Sequence, residues 1–535
     1  MTGVGIVALA LALAIVAPRW LPTRSFSLDL AGSVLDRRGA LIVSVASIAV
    51  VWITWGSWTP RPQIDDEFSY VLQAKIFANG HWTAPRPPIP DFFQEPHVLV
   101  TPAVASKYPP GHALLLSLGA AVNFLPLVPL ALTGWTAALL FALAKRIENV
   151  WVALLAWLIW ISTPLVLRFQ PSYFSELTSG AALLSAWWCL LRWRETGRRS
   201  WLFLLAFAIG WGAITRPLTM LALAVPIGVV VLQGAIRRRR LVELALSIAI
   251  ALSVLAILPF WSVNTTGSWT VTPLGRYDRD YLPIDQLGFV PDTSPPKRVL
   301  LPPMQQLYNN ILRLHREQPF AELPRTASSR ARQLETVLAS ENRLPILLFI
   351  GIGIAGLTWQ LGFGACSALL LFLAYLPYAS ADRWTIYDLE MAPVVATIVA
   401  AGMWRVSMRV AGERARAQFA AVLLALVLAS VAIPEVMNWR GYHTHHVDDH
   451  FSRWLERLPT HHAIVFIRYE PGRYDYINVV HNYRDLTSAR VWVVHDLGAA
   501  RNAELHRVAP DRDIVEFDDS QVNKETSSQP PPSFP

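Results

Sequence analysis

Runs of roughly 17–22 apolar residues recur along the whole chain, each able to cross about 30 Å of hydrocarbon as a helix. They lie near residues 2–18, 40–58, 126–144, 149–166, 174–192, 200–215, 217–236, 241–261, 344–359, 361–379, 388–404 and 417–435, about twelve in all. The strands of a lipid-facing barrel would alternate polar and apolar positions, and these runs do not, so helices are the form that satisfies every backbone group in lipid. The expected fold class is mainly α, a polytopic helical membrane protein, with a small extracytoplasmic α/β domain at the C-terminal end.

The gaps between runs are of two kinds. Short ones are basic: Arg19, Arg24, Arg37 and Arg38; Lys145 and Arg146; Arg192, Arg194, Arg198 and Arg199; Arg237 to Arg240; Arg405, Arg409, Arg414 and Arg416. They alternate with longer outer segments, the pattern of a positive cytoplasmic side. Both termini and the loops 59–125, 167–173 and 262–343 are then expected outside. The run from Gly3 to Val16 lacks a basic leader and a small-residue cleavage site, so it is expected to be a retained span.

The organisation that follows is a transmembrane domain over 1–435 with large outer loops 59–125 and 262–343, a soluble domain over 436–519, and a disordered Pro-rich tail over 520–535. Within loop 59–125 the return segment from Gly111 to Val122 is short for a span and is expected to be an interfacial helix. Loop 262–343 is expected to cap the first loop. Beyond Pro434, an amphipathic helix over 448–458 precedes strand-like runs at 463–467, 490–494 and 513–517.

Composition agrees: 53% hydrophobic residues, 16% charged ones and a mean hydropathy of +0.36 describe a chain whose main solvent is lipid. A formal charge of +8 would suggest nucleic acid if it sat on one soluble face, but it is spread over the inner gaps, so no nucleic-acid partner is expected. Cys189 and Cys366 both fall within apolar runs and imply no disulfide framework.

Chemistry concentrates in the outer loops. Asp65, Asp66 and Glu67 open the first loop just after a span. They are either acids favoured by a helix N-terminus or, as a fixed carboxylate, a base for an acceptor hydroxyl. The same loop returns through Ser106, Lys107, Tyr108, Pro109, Pro110 and Gly111, a forced turn at the membrane surface. There Lys107 can meet a lipid phosphate or simply snorkel. The segment Arg168 to Glu176 holds Tyr173 and a further acid, Glu176. Arg216 lies between two apolar runs and Arg383 lies in the loop before Tyr387. A cation so close to hydrocarbon needs an anionic partner, either a phosphate or a structural carboxylate. The segment His443 to His450 offers metal-ligand side chains without a tetrahedral spacing and is expected to be solvated. Asn264, Thr265 and Thr266 form a glycosylation sequon without a secretory context that would use it.

The pattern D-E-x-x-Y formed by Asp66, Glu67 and Tyr70 just after a span, with Lys107, Tyr108, Pro109 and Pro110 before an apolar return, resembles the GT-C superfamily of glycosyltransferases that use lipid-linked sugars. Within it the aminoarabinose transferases and protein O-mannosyltransferases are the nearest in pattern, and the resemblance extends loosely to about Pro393. It implies a GT-C-like fold, a polyprenyl-phosphate sugar donor and a glycan, lipid or protein acceptor. Asp66 takes the role of catalytic base, with Glu67 and Glu176 as accompanying acids. Glu176 stands where relatives commonly carry Asp. Lys107, Arg383, Tyr387 and Arg216 are then the donor-phosphate contacts, and Tyr70, Tyr108 and Tyr173 line the substrate.

The function expected is transfer of a sugar, with inversion, to a hydroxyl outside the cytoplasm, at a bacterial inner membrane. No cofactor is implied with certainty, and a divalent metal could share the phosphate charge because Asp65, Asp66 and Glu67 offer hard oxygens. A secondary transporter or lipid flippase would instead need ionisable groups near mid-span and broken helices in pairs. A non-catalytic scaffold would work through its C-terminal domain and leave the first-loop acids replaceable.

Overall fold

A computed structural model describes residues 28–57, 60–339, 343–382, 384–409, 447–460, 462–469, 478–482, 486 and 489–518. The expected spans at 2–18 and 417–435, Arg383, residues 443–446 and the tail at 520–535 lie outside the described residues.

Helices dominate. Five of those described are long and apolar enough to cross a membrane: Gly32–Trp55, Leu127–Ile147, Pro217–Arg237, Leu241–Thr266 and Thr385–Ser407. The chain is thus a multi-pass helical protein, although several runs read as full spans form shorter helices. Val150–Ser162 stops because Pro164 opens a separate helix, Pro164–Phe169; a proline fits a first turn but breaks a helix interior. Arg199–Ala213 and Trp359–Tyr375 are likewise short. In the other direction, the first described helix begins at Leu28, well ahead of the apolar run that predicted it, and carries Arg37 and Arg38 about two and a half turns in.

Leu28–Trp55 packs on Leu127–Ile147, and Val150–Ser162 packs on Ala392–Ser407. Trp160, Trp193 and Phe141 are fully buried at the centre. Where Arg343–Ala355 crosses Ala392–Ser407 the backbones nearly touch: a Cβ on Gly402 would lie 2.1 Å from the Phe349 carbonyl oxygen, and one on Gly353 2.3 Å from that of Ile398. Small residues at a crossing let helices gain dispersion contact where lipid supplies no hydrophobic drive. By contrast, only 11% of the apolar window of Leu241–Thr266 is buried, the exposure expected of a helix turned to lipid.

The first outer loop folds against this bundle. Helix Asp65–Ala78 packs on Gly111–Ala121, and a two-residue antiparallel ladder joins Val98–Leu99 to Ala105–Ser106 between them. Gly111 is needed where the return helix meets the bundle, since its N–H donates to the Ile214 carbonyl (2.9 Å) and a Cβ there would strike Thr215 Oγ1 at 2.4 Å. Loop 262–343 contributes helices Pro273–Asp280, Pro302–Glu317 and Leu323–Ala339. It meets the first loop where the His97 N–H donates to the Tyr277 hydroxyl (2.8 Å).

Three parallel strands, Ala463–Arg468, Val491–His495 and Asp513–Asp518, form one sheet with Ala463–Arg468 central. Helices Val447–Glu456 and Ala499–Val508 accompany it. Leu72, Ile76, Phe92 and Phe93 of the first loop share one apolar core with Ile464, Phe466, Trp492 and Val494 of the sheet.

Candidate active site

The three adjacent acids do not act as a cluster. Successive helical side chains diverge by about 100°, and at the start of Asp65–Ala78 each acid meets a different part of the protein. Asp65 turns to the C-terminal segment, where Asn478 Nδ2 lies 3.5 Å from its Oδ1. Burial pushes its carboxyl up to about 6, with His481 opposing. Glu67 points the opposite way and spends both oxygens on backbone: Oε1 accepts from the Tyr173 N–H (2.7 Å) and Oε2 from that of Gln63 (2.8 Å). Burial raises it to about 7. Asp66, between them, accepts a short hydrogen bond from the Tyr108 hydroxyl on Oδ1 and has His97 Nε2 at 3.5 Å from Oδ2. Burial holds the His97 imidazole down to about 4, against the pull of Asp66, so it stands there as a neutral ring.

From Asp66 the contacts run in a closed circuit. Tyr108 stacks on Tyr70 (centroids 4.8 Å apart), and the Tyr70 hydroxyl donates to Ser175 Oγ (2.9 Å). Arg216 Nη1 reaches the same Ser175 Oγ (3.2 Å) and pairs with Glu176 Oε1 (2.7 Å). Its Nη2 donates to the Tyr375 hydroxyl (2.7 Å). Tyr375 stacks on Tyr387 (4.8 Å, 7° between planes), which meets Tyr378 edge-on (5.6 Å). The Tyr378 hydroxyl donates to Asp285 Oδ1 (3.1 Å), while Asp285 Oδ2 pairs with Lys107 Nζ (3.2 Å). Lys107 lies over the Tyr108 ring at 5.3 Å, closing the circuit at Asp66.

Of the expected site residues, Asp66, Tyr70, Lys107, Tyr108, Glu176, Arg216 and Tyr387 are therefore joined on one ring. Tyr173 is not: its hydroxyl donates to the Pro60 carbonyl (2.8 Å) and its ring leans on Trp55. Glu67 lies behind the ring with both oxygens engaged. Arg383 lies outside the described residues. The ring also holds residues that sequence reasoning passed over: His97, Ser175, Asp285, Tyr375, Tyr378 and Glu390. Glu390 had a visible signal, an acid at the head of an apolar run. Its Oε1 accepts from Ser179 Oγ (2.6 Å) and lies 3.7 Å from Arg216 Nε, and its Oε2 is without a hydrogen-bond partner among the described residues.

Electrostatically the ring is rich in acid. Arg216 faces two carboxylates, Glu176 and Glu390. Burial pulls the Lys107 ammonium down, but Asp285, Asp278 and Asp66 together hold it above its ordinary value. These carboxylates differ in access: the side chains of Glu176 (2%), Glu390 (0%) and Asp285 (8%) are closed off, while that of Asp66 is 30% exposed. Among the described residues no three His, Cys, Asp or Glu side chains converge as a metal site.

A family model described as dolichyl-phosphate-mannose-protein mannosyltransferase matches residues 107–263. Among solved structures, ArnT from Cupriavidus metallidurans in the apo state superposes with a TM-score of 0.50 at 14% identity, over 92% of each chain. The same protein bound to undecaprenyl phosphate gives 0.47 at 11% identity over 90% of each. The Archaeoglobus fulgidus oligosaccharyltransferase in complex with Zn and sulfate gives 0.45 at 13% identity, over 79% of this chain and 60% of that one. No curated protein matches the sequence. At this identity the ArnT likeness is one of fold. The resemblance to the GT-C glycosyltransferases thus holds in the overall architecture and in the matched segment.

Proposed function

We propose that this protein is an integral membrane glycosyltransferase that takes a sugar from a polyprenyl-phosphate donor and passes it, with inversion, to an acceptor hydroxyl on the outer side of a bacterial inner membrane. The observation that carries this reading is the state of Asp66. It is the accessible carboxylate of the ring, oriented by Tyr108 and set against a neutral imidazole. A base needs to be fixed and reachable.

In the reaction, the acceptor oxygen attacks the anomeric carbon as its proton passes to Asp66. The bond between that carbon and the phosphate oxygen breaks, and its electron pair leaves with polyprenyl phosphate. Attack opposite the leaving group inverts the carbon. Lys107 and Arg216, with Arg383 from the loop before Tyr387, meet the charge growing on the phosphate. The aromatic wall of Tyr70, Tyr108, Tyr375 and Tyr387 suits a sugar face and keeps water from the reacting carbon. The divergence of Asp65, Asp66 and Glu67 gives no joint oxygen cradle, so a divalent ion that took part would draw its ligands from elsewhere on the ring or from the donor. The match of residues 107–263 to the dolichyl-phosphate-mannose-protein mannosyltransferase model supports a lipid-phosphate donor.

Buried Glu176, Arg216 and Glu390 are the feature that a transporter or flippase would use. All three sit where helices begin, at the head of Glu176–Thr196, just before Pro217–Arg237 and just before Ala392–Ser407, rather than at mid-span, which favours the transferase. The test is consumption of a panel of polyprenyl-phosphate sugars by purified protein in nanodiscs, wild type beside Asp66→Asn. Consumption by wild type alone is expected, and equal consumption by both would overturn the assignment of the base.

A further inference from the structure

We propose that His481, on the C-terminal segment, is a positioning residue for Asp66: it sets the rotation of the helix that aims the carboxylate. This inference rests on the transferase reading for its kinetic consequence but not for its geometry.

The His481 ring stacks face to face on Phe68, with centroids 3.6 Å apart and planes 5° apart. Its Nδ1 lies 2.7 Å from Glu95 Oε1, and both side chains are nearly closed to solvent. Phe68 stands three residues after Asp65, so the two share a face of the helix, and that face is the one the C-terminal segment covers through His481 and Asn478. Glu95 precedes by two residues His97, the ring beside Asp66 Oδ2. A second tie keeps this stretch on the sheet, since His495 Nε2 lies 2.6 Å from the Gln94 carbonyl oxygen. One imidazole therefore touches both the helix that carries Asp66 and the strand of loop that carries its neighbour.

The consequence follows from helix geometry. Glu67 pins one side of the first turn to backbone N–H groups, and His481 pins the other, with Asp66 between them aimed at Tyr108. A carboxylate about 5 Å from the helix axis moves about 1 Å for a roll of about 10°. Misplacement by about 1 Å can cost about 10²-fold in rate. Loss of the His481 contact frees that roll without removing any group that touches substrate.

The test uses the full chain in lipid nanodiscs, with donor kinetics and amide hydrogen exchange read on the same samples. For His481→Ala, kcat falls about tenfold or more while donor KM stays within about twofold, and exchange quickens over residues 63–69. His481→Asn keeps a donor for Glu95 at the place of Nδ1 but loses the ring on Phe68, so its kcat and its exchange over residues 63–69 fall between those of wild type and His481→Ala. Arg61→Ala and Arg501→Ala remove exposed ion pairs of the same junction, to Glu456 and Asp91, and leave kcat within about twofold. A kcat unchanged in His481→Ala, or lowered as much by the two arginine variants, would overturn the proposal. If wild type consumes no donor, the transferase reading fails instead. Exchange then decides: quickening confined to 63–69 in His481→Ala supports the positioning role, and unchanged exchange overturns it.

Discussion

The Tyr108 hydroxyl donates to Asp66 Oδ1 across 42 residues of chain. Two turns of the first outer loop, one opening a helix and one preceding the return helix, meet at that bond. It both orients the carboxylate and takes up one of its lone-pair directions, leaving Oδ2 toward His97.

Asp66→Asn removes the base and leaves the shape. It is expected to lower kcat by about 10²–10⁴-fold with little change in donor KM, the range for loss of general-base help. Tyr108→Phe loosens the same carboxylate without removing it and is expected to cost about tenfold. Steady-state kinetics on both variants check the order. Tyr108→Phe as damaging as Asp66→Asn would mean that the phenol, rather than the acid, handles the proton.

Lys107 and Asp285 form a buried pair whose cation is wanted for the donor phosphate. Asp285→Asn withdraws a competing carboxylate and is expected to lower donor KM by about 3–10-fold, the net scale of one ordinary hydrogen bond. Lys107→Met should raise it by at least as much. Titration of polyprenyl phosphate against each variant is the measurement, and weaker binding in Asp285→Asn would show that the pair only braces the loops.

Arg216 neutralises two carboxylates. Arg216→Met strands both in the interior and is expected to cost about 3–5 kcal/mol of stability, seen as a large drop in thermal midpoint in detergent. Glu390→Gln keeps one acceptor for Ser179 and removes the carboxylate whose second oxygen is without a hydrogen-bond partner among the described residues. It should change stability by no more than about 1 kcal/mol. Similar losses in the two variants would count against this division of roles.

Glu67 gives a pH test with a definite sign. Burial raises its carboxyl from 4.5 to about 7, so the folded state binds a proton that the unfolded chain has released. Stability from this group is complete below pH 4.5 and is lost as pH climbs to about 7, a fall on the order of 3 kcal/mol. Glu67→Gln cannot ionise. The stability of wild type relative to Glu67→Gln should therefore decline between pH 4.5 and 7 and level off above. Denaturation of both proteins across that window checks it, and a relative gain for wild type would mean that the Tyr173 and Gln63 amides favour the charged form outright.

The sequence carried the architecture because a membrane demands it. Long uncharged runs such as 127–144 and 217–236 must be helical wherever lipid is the solvent, and the turn at Lys107 to Gly111 must follow from its prolines and glycine. A helix opening on Asp65, Asp66 and Glu67 was legible as well, since acids favour an N-terminus. What was hidden is which way each acid points. Three neighbours looked like one cluster, yet helical divergence sends them to the C-terminal segment, the tyrosine ring and the backbone of the second outer loop. Proline at 164 shortened a run that looked like a single span, because composition reports solvent preference and not where a hydrogen-bonded ladder breaks. His97, Asp285 and His481 come from stretches with no local pattern at all. They matter only because residues as distant in the chain as Lys107 and Asp285, 178 positions apart, or Glu95 and His481, 386 apart, are brought within a few ångströms, and such meetings are set by packing of whole elements, which no local run of residues encodes.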